Sequence, residues 1–281
     1  MSTMDGGKSV AVAELVRLLA THRRLAWRMA LREIRFQYVG SSIGFVWAVL
    51  HPLLMIGIYS VVFSGLLGIR VPRAEAAGGP LDYTVYLCAG LLPWFAFSDG
   101  LLRGCNAFVG NAGLLKKIQF PSLVLVASTC LVSLINLVIS LSIFILLLVA
   151  FGYGVPWYAV LALPLLLLLQ TLFLFGGALL AATLNVFFRD VAQLLLFITM
   201  IWFWLTPIVY VPEAIRAPSE YLALFNLNPF YHLVVLYRDV LMYHQVPAWG
   251  SLCVVGGVVV GLSALALWLF ARLEGEMLDT L

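Results

Sequence analysis

Six apolar runs lie at about 41–68, 83–108, 121–151, 157–186, 191–211 and 249–271, and the connections between them carry their basic residues mostly on one side. A hydrocarbon core about 30 Å thick is crossed by about 20 helical residues, so each run is long enough to span. Backbone groups inside lipid must be satisfied within the chain, which leaves helices as the spanning element for runs this continuous. With the N-terminus inside, Lys8, Arg17, Arg23, Arg24, Arg28, Arg32, Arg35, Arg103, Lys116, Lys117, Arg189 and Arg272 fall in the cytoplasm. Only Arg70, Arg73, Arg216 and Arg238 fall outside. Lys/Arg bias in short connections sets orientation, so the expectation is an all-α, six-span, multi-pass inner-membrane protein with both termini cytoplasmic.

Composition narrows the functional classes. Hydrophobic residues make up 63% of the chain and charged ones 10%, against about 25% charged in soluble domains. The spans use nearly all the length, so 1–281 reads as a single transmembrane domain with no room for a separate soluble enzyme. No small-residue cleavage motif follows a short apolar core near the start, so no signal peptide is expected. The net charge of +3 belongs to residues beside the spans and implies no nucleic-acid partner. Cys88, Cys105, Cys130 and Cys253 lack CxxC spacing and nearby histidines, which points to free thiols and no metal site.

Two segments outside the spans have patterns of their own. Over 10–38 a charged helical pattern places Arg24, Arg28, Arg32 and Arg35 on one stripe, with Trp27, Leu31, Ile34, Leu25, Met29 and Phe36 to either side. That suits an amphipathic helix in the inner interface. Its apolar residues are not confined to the face opposite the arginines, so it should also pack on protein. Over 212–248, Asn228 before Pro229 sets an N-cap ahead of proline at the first helical position. A helix should run from there to about Tyr243, preceded by a shorter one at 213–224. Two short helices between the last two spans suggest a re-entrant outer pair; a cap outside the lipid is the alternative. Pro52, Pro93, Pro164 and Pro207 fall inside spans, where neighbouring helices can satisfy freed carbonyls.

The chain carries no energy source for uphill transport. Gly6-Gly7-Lys8-Ser9 lacks the first glycine of a phosphate loop and has no strand ahead of it. Asp99 lies one turn before Arg103, which favours an ion pair over a proton relay, while His51 sits within the first span as either a packing or a relay residue. Thr129, Ser133, Asn136 and Ser140 share a face of the third span, for helix-to-helix hydrogen bonds or for a polar pathway. Gly177 with Ala181 and Ala178 with Ala182 predict close helix packing. Aromatic residues crowd spans one, two and five, either as interfacial belts or as faces for sugar rings.

Several ordered motifs then carry a resemblance. Asn185-Val-Phe-Phe-Arg189-Asp190 is followed by Phe203-Trp-Leu-Thr206-Pro207-Ile-Val-Tyr210. Arg32, Arg35, Tyr38, Ser42, Gly44, Trp47 and Pro52 precede them, as does Leu115-Lys116-Lys117-Ile-Gln-Phe120-Pro121, and Asn228-Pro229-Phe230-Tyr231 comes after. Together they resemble the membrane subunits of ABC-2-type exporters that move lipid-linked O-antigen, teichoic acid and related polysaccharides, over about residues 25 to 272. His51 departs from the residue expected there. The resemblance implies a homodimer of six-span permeases docked on two copies of an ABC ATPase subunit. This chain then has no cofactor and no catalytic residue, with ATP and Mg on the partner, and the substrate is a lipid-linked glycan moving among membrane lipids. On that reading Trp47, Tyr59, Phe203 and Trp204 are expected to line the channel, and Arg32 and Arg35 to admit the pyrophosphate. Leu115, Lys116, Lys117, Arg189 and Asp190 are the expected ATPase-coupling residues, and Asn228, Pro229 and Tyr231 the outer gate. A permease for a small amphiphile, a lipid-modifying membrane enzyme and a non-transporting scaffold are the competing readings.

Overall fold

The computed structural model describes residues 17, 21–37, 43–66, 82–117, 120–212 and 224–281. Among these the chain is helical and has no strand. Helix α1 is Arg23–Gln37. A 3-10 turn at Gly44–Val46 leads into α2, Trp47–Tyr59, which continues as a π-helix over Ser60–Leu66. Next come α3, Asp82–Cys105, and two short loop helices, α4, Ala107–Gly110, and α5, Ala112–Lys117. Then follow α6, Leu123–Ala150; α7, Ala159–Phe187; α8, Val191–Leu205; α9, Pro229–Leu241; and α10, Trp249–Thr280.

Four of these helices are individually long and apolar enough to cross a bilayer: α3, α6, α7 and α10. Two runs read as spans are shorter as regular helix, Trp47–Phe63 and Val191–Leu205. The 15 residues of α8 make about 22 Å at the helical rise, less than the run at 191–211 suggested. The remainder, Thr206 to Val211, is not helical. In the other direction, α10 has 32 residues, about 48 Å, so what reads as a tail after 271 is further helix. The short helix expected at 213–224 lies almost wholly outside the described residues, as do Lys8, Tyr38, Ser42, Arg70, Arg73 and Arg216.

Helix α7 packs along α3, α6 and α10, and small residues set the distance. A Cβ on Gly104 of α3 would stand 2.5 Å from the Ala178 Cβ, and one on Gly100 would stand 2.7 Å from the Ser133 Oγ. Ala178 and Ala182 are fully buried, which bears out the small-residue spacing and gives the close backbone approach that drives association in lipid. Rings fill the junction of α3, α7, α8 and α9. Phe230 lies 4.8 Å from Trp94 and 4.9 Å from Phe97, and Phe97 is 5.0 Å from Phe173. Trp202 closes the group at 5.6 Å from Phe97. A polar thread crosses the same helices: the Tyr237 hydroxyl donates to Gln170 Oε1 at 2.9 Å, and Gln170 Nε2 donates to the Pro93 carbonyl at 2.9 Å.

The first helix packs on protein as well. Ala30 and Ile34 of α1 pack with Leu131, Val132 and Ile135 of α6, and Ala26 extends the buried row. Arg24, Arg28, Arg32 and Arg35 are all exposed, as are Trp27, Leu31 and Phe36.

Candidate functional site

The backbone after α8 is not helical, and its polar groups are met by side chains of neighbouring helices. Arg238 of α9 is 4% exposed. Its Nη2 donates to the Pro207 and Ile208 carbonyls at 2.9 and 3.0 Å, and its Nε donates to the Tyr86 carbonyl at 3.2 Å. The guanidinium also lies 3.5 Å over the Tyr86 ring centroid, a cation–π geometry. The Tyr86 hydroxyl donates to the Tyr210 carbonyl at 3.0 Å, and the Tyr83 hydroxyl donates to the Val209 carbonyl. The unwound stretch is thus held by α3 and α9 together. Threading by charge alone put Arg238 among the outer charges; its carbonyl partners are distant in sequence and only folding reveals them.

Asn228 carries the other end of this arrangement. Its Oδ1 accepts from the Phe230 amide at 3.0 Å, as an N-cap with Pro229 following. The same oxygen accepts from Trp202 Nε1 at 2.8 Å, and Asn228 Nδ2 donates to Thr206 Oγ1 at 2.8 Å. One side chain therefore caps α9 and ties it to the end of α8. Tyr231 is half-buried beside Phe225, with ring centroids 6.0 Å apart. His232, buried, lies between Ser251 Oγ at 3.1 Å and the Asn226 carbonyl at 2.9 Å. A carbonyl can only accept, so Nε2 donates to Asn226.

At the other end an ion-pair chain joins α1 to α3. Arg103 lies 2.7 Å from Asp99 and 3.9 Å from Glu33. Burial pushes the Glu33 carboxyl above its ordinary value; Arg103 opposes this and Asp99 adds to it. Two cavities flank the chain. One, about 700 Å³, lies between α1, α3 and the loop helices and includes Arg32, Glu33, Arg103, Asn106 and Thr129. The other, about 360 Å³, lies between α2, α3 and α6 and includes Trp47, His51, Asp99, Asn136 and Ser140. Arg28, Arg32 and Arg35 also border an open surface hollow.

The aromatic residues divide. Trp94, Phe97 and Phe230 are buried packing. Trp47 and Trp204 are 39% and 60% exposed, free to face lipid, a channel or a second copy. Phe203 is half-buried 5.8 Å from Trp94, and Tyr59 stacks on Phe63 at 5.9 Å. Among the coupling candidates, Leu115 is buried in the core, whereas Lys116, Arg189 and Asp190 are exposed. The Lys117 side chain is outside the described residues. Asp190 occupies the N-cap position of α8 without a side-chain capping bond. The hydroxyl stripe on α6 splits: Thr129 and Ser140 bond their own helix, while Ser133 donates to the Ala96 carbonyl of α3. Cys88, Cys105 and Cys130 are buried, and no metal-binding cluster occurs among the described residues.

Comparison with known proteins bears on the whole arrangement. The ABC-2 type transporter family matches residues 24–242. An O-antigen export system permease, RfbA, of Myxococcus xanthus is 30% identical over 95% of this chain and 99% of its own. An RfbA permease of Klebsiella pneumoniae is 28% identical, covering 75% of this chain and 77% of its own. The polysialic acid transport protein KpsM of Escherichia coli is 25% identical over 75% of this chain and 79% of its own. The chain belongs to the ABC-2 type transporter family, as a membrane protein of its permease class.

Proposed function

We propose that this protein is the membrane permease of an ATP-driven exporter that carries a lipid-linked polysaccharide of the O-antigen kind from the inner to the outer face of the cytoplasmic membrane. The observation that carries this reading is the similarity to an O-antigen export permease along 95% of the chain. Six spans, both termini inside and a re-entrant outer pair follow, with the Val191–Leu205 crossing completed by the unwound segment that Arg238 holds. Two copies of the chain pair with two copies of an ABC ATPase, which supplies the nucleotide and magnesium chemistry. Helix α8 is apolar and exposed around most of its circumference, with Thr199 its buried residue, which supports a seam between copies. Trp47, Tyr59, Phe203 and Trp204 border the path, Arg32 and Arg35 receive the pyrophosphate, and the Asn228–Pro229–Tyr231 start of α9 gates the outer end. On the cytoplasmic side the loop bearing Leu115, Lys116 and Lys117, and the turn bearing Arg189 and Asp190, meet the ATPase. Leu115 serves by fixing the loop, since its own surface is buried.

The test is reconstitution of the permease with its partner ATPase in vesicles. Stimulation of ATP hydrolysis and translocation are measured with polyprenyl-diphosphate glycans and, in parallel, with amphiphilic dyes. Glycan-specific stimulation is expected. Stimulation and export of dyes alone would overturn the polysaccharide reading in favour of a small-amphiphile exporter.

A further inference from the structure

The cavity between α2, α3 and α6 contains polar side chains that the fold does not use. His51 and Asn136 border it, and neither ring nor amide has a hydrogen-bond partner among the described residues. The Ser140 hydroxyl, also at its wall, bonds only its own helix at Asn136 O. Asp99 stands there with a side chain 59% exposed, its charge met by Arg103. Such groups within spans are costly unless they face a bundle interior or a water-filled cavity, and there they mark substrate pathways. Trp47 and Phe95 supply rings to the same walls.

We propose that this cavity is a saccharide subsite that holds one neutral pyranose unit of the lipid-linked substrate. The proposal rests on the export reading above and names a sugar-selective site within it. Its chemistry fits hydroxyls: an amide that both donates and accepts, an imidazole and a serine, beside aromatic faces that suit the C–H face of a ring. It does not fit a free anion, because Asp99 is the charged group at its wall. The phosphate-compatible guanidinium of Arg32 borders the neighbouring cavity instead, beside Arg103, whose charge already faces Asp99 and Glu33, and the Asp99–Arg103 pair forms part of the partition. A carrier with its diphosphate beside Arg32 and Arg103 would present its first sugar to His51 and Asn136. At about 360 Å³ the space lies within the range of about 300–1,000 Å³ for small-ligand sites, suited to a single ring rather than a chain. Asp99 lies six residues before the inner end of α3 at Cys105, about 9 Å along the axis, so the site belongs to the inner half of the membrane.

The test uses the complete exporter in lipid nanodiscs and three probes: polyprenyl diphosphate, its glucose-bearing form and its N-acetylglucosamine-bearing form. Each variant is scored on the ratio of sugar-bearing to sugar-free affinity, so that a general loss of fold leaves the ratio unmoved. Asn136→Ala and His51→Ala should each lower that ratio about fivefold to tenfold, the size of one lost hydrogen bond. Asn136→Gln should restore part of it, and Trp47→Phe should retain it where Trp47→Ala does not. Competition by free methyl glucoside at the same residues would mark a site open to sugar from solution; its failure would mark one reached only on the lipid. A ratio unchanged in every variant, while the wild-type exporter still binds and moves the carrier, overturns the subsite and leaves the export function standing. If the wild type binds none of the three probes, both readings fall.

Discussion

A buried guanidinium is tolerated only when its donors are met, and Arg238 meets main-chain carbonyls from two separate segments. Arg238→Met keeps most of the volume and removes the donors, so the Ile208 carbonyl loses its guanidinium partner and the Pro207 carbonyl keeps only the longer contact from the Tyr86 hydroxyl, 3.4 Å. A loss of about 2–4 kcal/mol is expected from unsatisfied buried acceptors, measured as a lower thermal midpoint in micelles, with Arg238→Lys recovering part. A second residue-scale test uses Gly104. Alanine there would bring two methyl carbons to 2.5 Å, so Gly104→Ala should destabilise by about 1–3 kcal/mol through overpacking. Ala178→Gly removes the opposing methyl, and the double variant should be more stable than Gly104→Ala alone; simple additivity in that cycle would place the strain elsewhere. The sequence showed the Ala178–Ala182 half of this contact through its spacing. It did not show which glycine opposes it, because that depends on the register of α3 against α7. For the same reason the ion pair of Asp99 with Arg103, four residues apart, was legible, while its extension to Glu33 was not.

Helix α1 illustrates what periodicity can and cannot say about an element. Its arginine stripe was legible, and so was the failure of its apolar residues to gather on one opposite face. The structure supplies the cause: Ala30 and Ile34 seat on α6, while Trp27, Leu31 and Phe36 remain exposed. Glu33 should make the seating pH-dependent. Its carboxyl is raised by burial, so the protonated form is favoured when α1 is docked. The contribution is therefore fully present below the ordinary glutamate range and is lost as pH rises through the raised value. Amide exchange of α1 in nanodiscs, corrected for intrinsic rates, should show protection falling as pH rises across that window. Glu33→Gln should flatten the dependence; an unchanged pH profile in that variant would assign it to another group. Element ends were less legible. Hydropathy reports apolarity rather than helicity, so it missed the continuation of α10 to Thr280. It also ran through the stop at Leu205, where Thr206 is extended before Pro207, a backbone preference that proline imposes on its predecessor.

At the scale of the whole molecule the all-helical membrane architecture was legible because lipid leaves few alternatives, and the ordered motifs pointed to the family that the comparisons then showed. The sites were harder to read, since an aromatic residue in a span can face core, lipid or channel. Trp94 and Trp204 look alike in sequence, yet one is 3% and the other 60% exposed. The crossing on which the six-span threading turns is α8, whose 15 residues reach about 22 Å of a core about 30 Å thick. For the six-span topology to hold, the stretch from Thr206 to Val211, braced by Arg238, must complete the passage. Cysteine labelling in spheroplasts decides this. The exposed native thiol, Cys253, is replaced by serine, and single cysteines are placed at Gly154, Phe188 and Leu227. Gly154 lies in the turn between α6 and α7, and Phe188 and Leu227 are exposed just beyond the ends of α7 and before α9. A membrane-impermeant maleimide should label Gly154→Cys and Leu227→Cys in intact spheroplasts and Phe188→Cys only after permeabilisation. If Phe188→Cys and Leu227→Cys react from the same side, α8 does not cross, the chain has an odd number of spans, and the gate formed by α9 cannot lie opposite the ATPase.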